Sequence, residues 1–179
     1  MKKTLLCVVL IVAISIPTAF SQLRFEIGAS APVTVGYFSG AGGDYGDAIS
    51  TIEELGILPI PNLALFLQSD LGLLKLAAGI RAHSLIIYTL AYPVVQLEVV
   101  LGPLSIDAGI GGYYFGYSAL GGLYGLEQID YLIPDLSVWL GLGKRKSIQL
   151  GGGALSLIPT SMETDIVPFI GYAGLKIVL

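Results

Sequence analysis

Residues 23–37 alternate without a break. The odd positions Leu23, Phe25, Ile27, Ala29, Ala31, Val33, Val35 and Tyr37 are apolar, while Arg24, Glu26, Gly28, Ser30, Pro32, Thr34 and Gly36 include no large aliphatic. A period of two predicts a strand with one apolar face. The run is far longer than the ~5–6 residues of a typical globular strand, and it suits a tilted strand that crosses a bilayer in ~9–11 residues and continues past it. The same alternation returns from Leu74 to His83, Ala91 to Leu101, Leu104 to Gly111, Asp135 to Gly143, Ser147 to Gly151 and Phe169 to Leu179. A further strand, about Ile60–Ser69, is mostly apolar on both faces and its phase stays open. The total is eight strands.

The connections fall into two classes. Tight turns are expected at Ser69-Asp70-Leu71-Gly72, Leu101-Gly102-Pro103-Leu104 and Gly143-Lys144-Arg145-Lys146, and longer links at about 38–59, 116–131 and 158–166, with a short one at 83–86. Short turns alternating with longer loops are the layout of a small transmembrane barrel. The predicted fold is therefore all-β, an eight-stranded antiparallel up-and-down transmembrane β-barrel with both termini in the periplasm. Its apolar face would meet lipid, since a soluble barrel with a continuous exterior of Leu, Val and Ile would be insoluble. Closure follows from the bilayer, where an open sheet edge leaves backbone groups unpaired.

Composition sharpens this picture. The chain is 54% hydrophobic and only 12% charged, about half the charge of ordinary soluble domains. Transmembrane helices are the obvious competitor, but Ala108–Leu126 contains seven glycines, and Pro93, Glu98 and Pro103 interrupt the preceding apolar stretch. Each glycine costs a helix about 1 kcal/mol relative to alanine. A formal charge of −4 removes the electrostatic footing for nucleic-acid binding.

The N-terminus reads as a secretory signal over residues 1–21, with the barrel over 22–179. Lys2 and Lys3 precede an apolar run from Leu5 to Ile16, Pro17 breaks it, and Ala19-Phe20-Ser21 places small residues at a cleavage site before Gln22. Losing Lys2 and Lys3 takes the formal charge from −4 to −6, and losing Cys7 leaves no thiol for a disulfide or a metal site.

The last strand carries a resemblance. Tyr172-Ala173-Gly174-Leu175-Lys176-Ile177-Val178-Leu179 resembles the C-terminal assembly signal of bacterial outer-membrane barrels in Tyr172, Gly174, Ile177 and the final hydrophobic position, with Leu179 in place of the usual aromatic. With the signal peptide, the size and the loop layout, residues 22–179 resemble the eight-stranded barrels of the OmpA, OmpX and OmpW type, in architecture and without a family-specific motif. The resemblance implies residence in the bacterial outer membrane, contact with its lipid, and recognition of the last strand by the barrel-assembly machinery.

Phasing places eight charges in the lumen: Arg24, Lys75, Arg81 and Lys176 against Glu26, Glu98, Asp107 and Asp135. Closing the barrel makes Glu26 and Lys176 neighbours. A buried ion without a partner costs several kcal/mol, so the set is expected either to form a salt-bridged plug that occludes the lumen or to line a narrow polar constriction. Toward the loop end the inward phase turns apolar at Leu90, Tyr92, Val94, Tyr113, Phe115, Trp139 and Leu155. These residues are either a cup for a small hydrophobic ligand, as OmpW-type barrels are thought to offer, or fill space opposite glycines, unless a bulge has flipped the phase near the rim. Tyr37, Phe38, Tyr88, Tyr113, Tyr114, Tyr117 and Tyr131 crowd the outer strand ends as an interface girdle, with sugar or adhesin contacts as the sharper alternative.

The remaining chemistry is sparse. The outer loops carry Asp44, Asp47, Glu53, Glu54, Glu127, Asp130, Glu163 and Asp165 at no calcium-loop spacing. Within the first loop, Ser50 and Glu53 at capping-box spacing and a stop at Gly56 predict a short helix over 47–56. His83, the single histidine, precedes Ser84, but adjacent strand residues point to opposite faces, so no catalytic site, metal or cofactor is expected. The function expected is an envelope or surface role for an occluded barrel. The alternative is a narrow channel or carrier for small hydrophobic solutes.

Overall fold

The computed structural model describes residues 21–38, 59–85, 88–112, 115–118, 122–124, 131–156, 158–159 and 167–179. In chain order the strands are β1 (Ser21–Phe38), β2 (Ile60–Leu71), β3 (Leu74–Leu85), β4 (Tyr88–Leu101), β5 (Leu104–Gly112), β6 (Phe115–Ser118), β7 (Gly122–Tyr124), β8 (Tyr131–Leu142), β9 (Ile148–Ser156), β10 (Ile158–Pro159) and β11 (Val167–Val178). Eight of them are staves. β1 to β5 pair in sequence, β5 pairs β8, β8 pairs β9, β9 pairs β11, and β11 returns to β1, all antiparallel. The ring has no free edge. Among the described residues no helix is long and apolar enough to cross a membrane, which says nothing against crossing by strands.

Stagger makes the closure possible. Following cross-strand partners from Arg24 leads through Phe66, Gly79, Val94 and Gly111 to Ile133. That path starts near the beginning of β1 and ends near the beginning of β8, so it climbs from the turn end of the barrel to its loop end. The strands are therefore tilted, as the long alternating segments require.

The two faces separate as period two dictates. Leu23, Leu63, Leu65, Leu67, Ile80, Leu136 and Leu140 are among the large hydrophobics exposed on the outside. Inside lie Phe66, Gln96, Tyr92 and Val94, with Arg24, Glu26, Glu98, Asp107 and Lys176. The expected eight-stranded barrel is borne out, and β2 now has a phase: Leu63, Leu65 and Leu67 point out, Ala64, Phe66 and Gln68 in.

Two details depart from the sequence pattern. The alternation of β1 is not continuous, because its register against β11 shifts between Pro32 and Thr34. Val33 and Thr34 are both exposed, and beyond the shift Thr34 and Gly36 lie opposite Gly171 and Phe169. A bulge of this kind turns two successive side chains to one face and flips the phase after it. The stretch 116–131, expected as a plain loop, contains strand structure instead. β6 pairs with Tyr88–Ala91 of β4 and folds back on β7, extending the sheet beyond β5. Ile158 and Pro159 likewise extend β9 against β8.

The tight turns are where backbone conformation decides the residue. Gly72 has φ of 84°, Gly102 of 66° and Gly143 of 73°, a region that residues with a Cβ occupy at a cost. At the first turn the Gly72 N–H donates to Asp70 Oδ1 at 2.9 Å. Nothing lies within 4 Å of a Cβ built on Gly72, so Gly72→Ala should cost only the backbone penalty, about 1 kcal/mol. Denaturant titration of the folded barrel checks this. The turns also brace one another: Gly141 N–H donates to Pro103 O at 2.7 Å, Val100 N–H to Leu73 O at 2.8 Å, and Lys146 Nζ to Gly102 O at 2.5 Å.

The segments 1–20, 39–58 and 160–166, with the predicted signal and the short helix at 47–56, lie outside the described residues. So do the side chains of Tyr37, Phe38, Tyr88, Tyr113, Tyr114, Tyr117 and Tyr131.

Candidate functional site

The lumen is built in two tiers. The lower, toward the tight turns, holds the charges, and the strands bring all eight sequence-derived positions to the inner face. Arg24 lies at the centre. Its Nη1 donates to Glu98 Oε2 at 2.5 Å and to Gln68 Oε1 at 2.8 Å, and its Nη2 meets Glu26 Oε1 at 2.5 Å. Glu26 also lies 3.7 Å from Lys176 Nζ and 3.7 Å from Arg81 Nη2. Lys176 Nζ donates to Asp107 Oδ2 at 2.7 Å, and Lys75 approaches Glu98 at 3.9 Å from the turn-end margin. Four cations and four carboxylates thus form one connected cluster, contributed by β1, β3, β4, β5, β8 and β11.

Aromatic rings hold the cluster in shape. Phe66, 1% exposed, has the Arg24 guanidinium 6.0 Å and the Arg81 guanidinium 5.7 Å from its ring centroid. The Lys176 ammonium lies 4.4 Å over the Trp139 ring. Rings in these positions offer the buried cations their electron-rich faces.

Arg81 connects the tiers. Its Nη1 donates to Asp135 Oδ2 at 2.9 Å and its Nη2 to Gln96 Oε1 at 2.9 Å, while the Tyr172 hydroxyl donates to Asp135 Oδ1 at 2.7 Å. Above this floor opens a cavity of about 260 Å³. Four residues of the expected cup, Leu90, Tyr92, Trp139 and Leu155, line it. Val94 does not; it points inward but is packed against Phe66, Ala77 and Tyr92 in the core. The side chains of Tyr113 and Phe115 lie outside the described residues.

Sequence phasing missed several wall residues. Ile60 and Asn62 belong to the unphased β2, Ile133 precedes the stretch of β8 where alternation is legible, and Ile170 lies at the start of β11, next to Phe169, and was not singled out. His83 is also on the wall, stacked on Tyr92 with centroids 5.8 Å apart and planes 14° apart, its Nε2 3.1 Å from the Tyr92 hydroxyl. Ser84 turns away and shares a hydrogen bond of 3.0 Å with Thr89. The two side chains have separate partners on opposite faces, and no nucleophile–base pair forms between them. Among the described residues no group of His, Cys, Asp and Glu is arranged to hold a metal ion.

In the C-terminal strand, Tyr172 and Lys176 face the lumen, Gly174 packs close to Ala29 and Ser30, and Ile177 and Leu179 are exposed outside. Leu179 completes the closure, with its N–H donating to Phe25 O at 2.9 Å and its carbonyl accepting from Phe25 N–H at 3.1 Å.

No family model and no curated protein matches the chain. Among solved structures, Neisserial surface protein A matches at 11% identity, covering 87% of this chain and 96% of its own, with a TM-score of 0.45. The N-terminal β-barrel domain of Pseudomonas aeruginosa OprF matches at 9% over 89% and 99%, with a TM-score of 0.46. Ail, the attachment invasion locus protein of Yersinia pestis, matches at 9% over 89% and 97%, with a TM-score of 0.39. Identities of this size carry no activity across. The unbroken antiparallel ring and the exposed leucines of its outer face make this chain an eight-stranded up-and-down barrel with the architecture of the small outer-membrane barrels.

Proposed function

We propose that the chain is an integral protein of the bacterial outer membrane, with both termini periplasmic, whose lumen is closed by an ion-pair plug and whose role in the envelope is non-catalytic. The observation that carries this is the charge cluster itself. Arg24, Glu26, Glu98, Asp107 and Lys176 are each 3–5% exposed, and their pairs tie together staves from all around the ring. Ions so buried depend on their partners of opposite charge, because taking either partner out of water costs several kcal/mol. A passage through this level would require the pairs to part. In this reading, outer-membrane lipid covers the exposed leucines, and the assembly machinery takes up the last strand through Tyr172, Gly174, Ile177 and Leu179.

Planar-bilayer recording tests the seal. The purified barrel should give no steady conductance, and the double variant Lys75→Ala/Glu98→Ala, which strips one cation and one anion from the turn-end side, should give resolvable openings. Steady conductance from the unaltered protein would overturn the plug. It would favour the second reading, a narrow channel or carrier for small hydrophobic solutes, which the cavity above the floor supports.

A further inference from the structure

The charge cluster in the lumen uses Arg24, Lys75, Arg81 and Lys176. Residues 22–179 contain three further cations, Lys144, Arg145 and Lys146, side by side in the turn between β8 and β9. We propose that this turn is a binding surface for the headgroups of anionic phospholipids, with Lys144 and Arg145 meeting the phosphates of the leaflet on the turn side. The proposal rests on the membrane-barrel reading and adds to it the class of lipid that one end of the barrel selects.

Three observations carry it. The first is depth. Each tight turn is entered and left by an aliphatic pair: Leu71 opposite Leu74, Leu101 opposite Leu104, and Leu142 opposite Ile148. All of these but the half-buried Leu104 are exposed, so the apolar outer surface runs down to the turns. A bilayer that covers it brings the edge of the hydrocarbon to the base of the turns and the headgroup layer to the turns themselves.

The second observation is charge, and it is one-sided. The β4–β5 turn, Gly102-Pro103, has no ionisable side chain. Asp70 sits at the β2–β3 turn, half the ring away from β8 and β9, and its Oδ1 accepts from Gly72 N–H. Lys144 and Arg145 are exposed, and among the described residues no carboxylate pairs with either. The turn therefore offers positive charge to a phosphate and no acidic neighbour to the ammonium of a zwitterionic headgroup. At the other end the linking segments 39–58, 125–130 and 160–166 hold eight carboxylates and no Lys or Arg, so anionic headgroups are favoured at the turn end alone.

The third observation is that the turn is held. Gly143 and Lys146 have φ of 73° and 52°. Lys146 Nζ donates to Gly102 O at 2.5 Å on one side, and Val178 N–H donates to Ser147 O at 2.7 Å on the other. Lys146 is thus engaged with the neighbouring turn, while Lys144 and Arg145 project from a backbone already fixed. A fixed backbone leaves only side-chain freedom to be lost when a headgroup binds, and the Arg145 guanidinium can meet a phosphate through two N–H groups at once.

An indole placed beside the turn reads the lipid that lies there. Leu142→Trp puts one on the outer face at the β8–β9 turn, and Leu101→Trp puts one at the uncharged β4–β5 turn. Trp139, 6% exposed and turned to the lumen, adds the same background to both. Each barrel is folded into phosphatidylcholine vesicles, and quenching by dibrominated phosphatidylglycerol is compared with quenching by dibrominated phosphatidylcholine. At low salt phosphatidylglycerol should be preferred about fivefold or more beside the β8–β9 turn, and less than about twofold beside the β4–β5 turn. Adding Lys144→Gln/Arg145→Gln should abolish the preference, Lys144→Arg/Arg145→Lys should keep it, and about 0.5 M salt should weaken it. Equal quenching by the two lipids beside the β8–β9 turn, an equal preference at both turns, or a preference that survives the glutamine pair would overturn the site. Relief of the preference by glycerophosphate at constant ionic strength would mean that the turn takes soluble anions, and would overturn the assignment to lipid. The comparison between the two turns leaves all three cations in place, so it decides the matter even where the glutamine pair does not fold. If neither lipid quenches either indole, lipid does not cover the outer face and the membrane reading falls with the site. If both lipids quench alike, the site alone falls.

Discussion

Glu26→Ala should destabilise the folded barrel by about 3–5 kcal/mol, as expected when one member of a buried ionic group is removed. Glu26 is 3% exposed and is the carboxylate shared by Arg24, Arg81 and Lys176. Without it, four cations face three carboxylates at positions that are largely buried. Arg24 retains Glu98, and Lys176 retains Asp107, so the excess positive charge has no single place to go. The measurement is a denaturant titration of the barrel in detergent or lipid, supported by the change in gel mobility on boiling that a folded barrel should show. A second variant separates charge imbalance from lost packing. Arg24→Met/Glu26→Gln removes one charge of each sign and leaves Lys75 with Glu98, Arg81 with Asp135 and Lys176 with Asp107, and it should recover much of the loss because neutralising a buried pair together is far milder than orphaning one member. If Glu26→Ala costs less than about 1 kcal/mol, the pairs behave as exposed ones do. The lumen is then wet and the proposed plug fails.

The outline of the fold was legible in the sequence because an apolar outer face and a narrow lumen impose a strict period of two. Strands β1, β3, β4, β5, β8, β9 and β11 all show it. β2 concealed its phase, since Leu63 to Leu67 is apolar throughout. The signal was size and polarity: leucine fills 63, 65 and 67, whereas Asn62, Ala64, Phe66 and Gln68 vary as lumen positions do. Membership of the charge cluster was legible for the same reason, but most of its pairings were not. Glu26 and Lys176 lie on strands that closure must bring together. Arg24 and Glu98 are 74 positions apart on staves that do not pair, and they meet only because side chains from around the ring converge on the lumen axis. The cavity was half legible. Its wall needs positions such as Ile133 and Ile170, where prolines and strand starts blur the alternation, and the bulge at Val33 alters the phase in a way that no residue type announces.

Glycines opposite aromatics lead to a second large effect, and the two commonest explanations for them can be told apart. Gly79 faces Phe66, Gly111 faces Tyr92, and Gly151 faces Trp139. One explanation is that each glycine makes room for a ring. The other is that the strands approach so closely that no Cβ fits, whatever the neighbour. The geometry assigns a different cause to two of the sites. A Cβ on Gly79 would overlap the carbonyl oxygen of Leu65 and lie 2.8 Å from the Phe66 Cα, both backbone atoms. A Cβ on Gly111 would meet chiefly the Tyr92 ring, at 2.5 Å from Cδ2 and 2.6 Å from Cε2. Gly79→Ala should therefore cost more than about 3 kcal/mol, beyond the usual range for overpacking because backbone must move, and Phe66→Ala in the same chain should not relieve it. Gly111→Ala should cost about 1–3 kcal/mol in the native background but less than about 0.5 kcal/mol when added to Tyr92→Leu, a coupling expected only of residues in contact. Denaturant titration of the two double-mutant cycles supplies the comparison. Additive costs at Gly111 would show that the ring is not the obstacle, and rescue at Gly79 by Phe66→Ala would show that the staves have freedom to separate there.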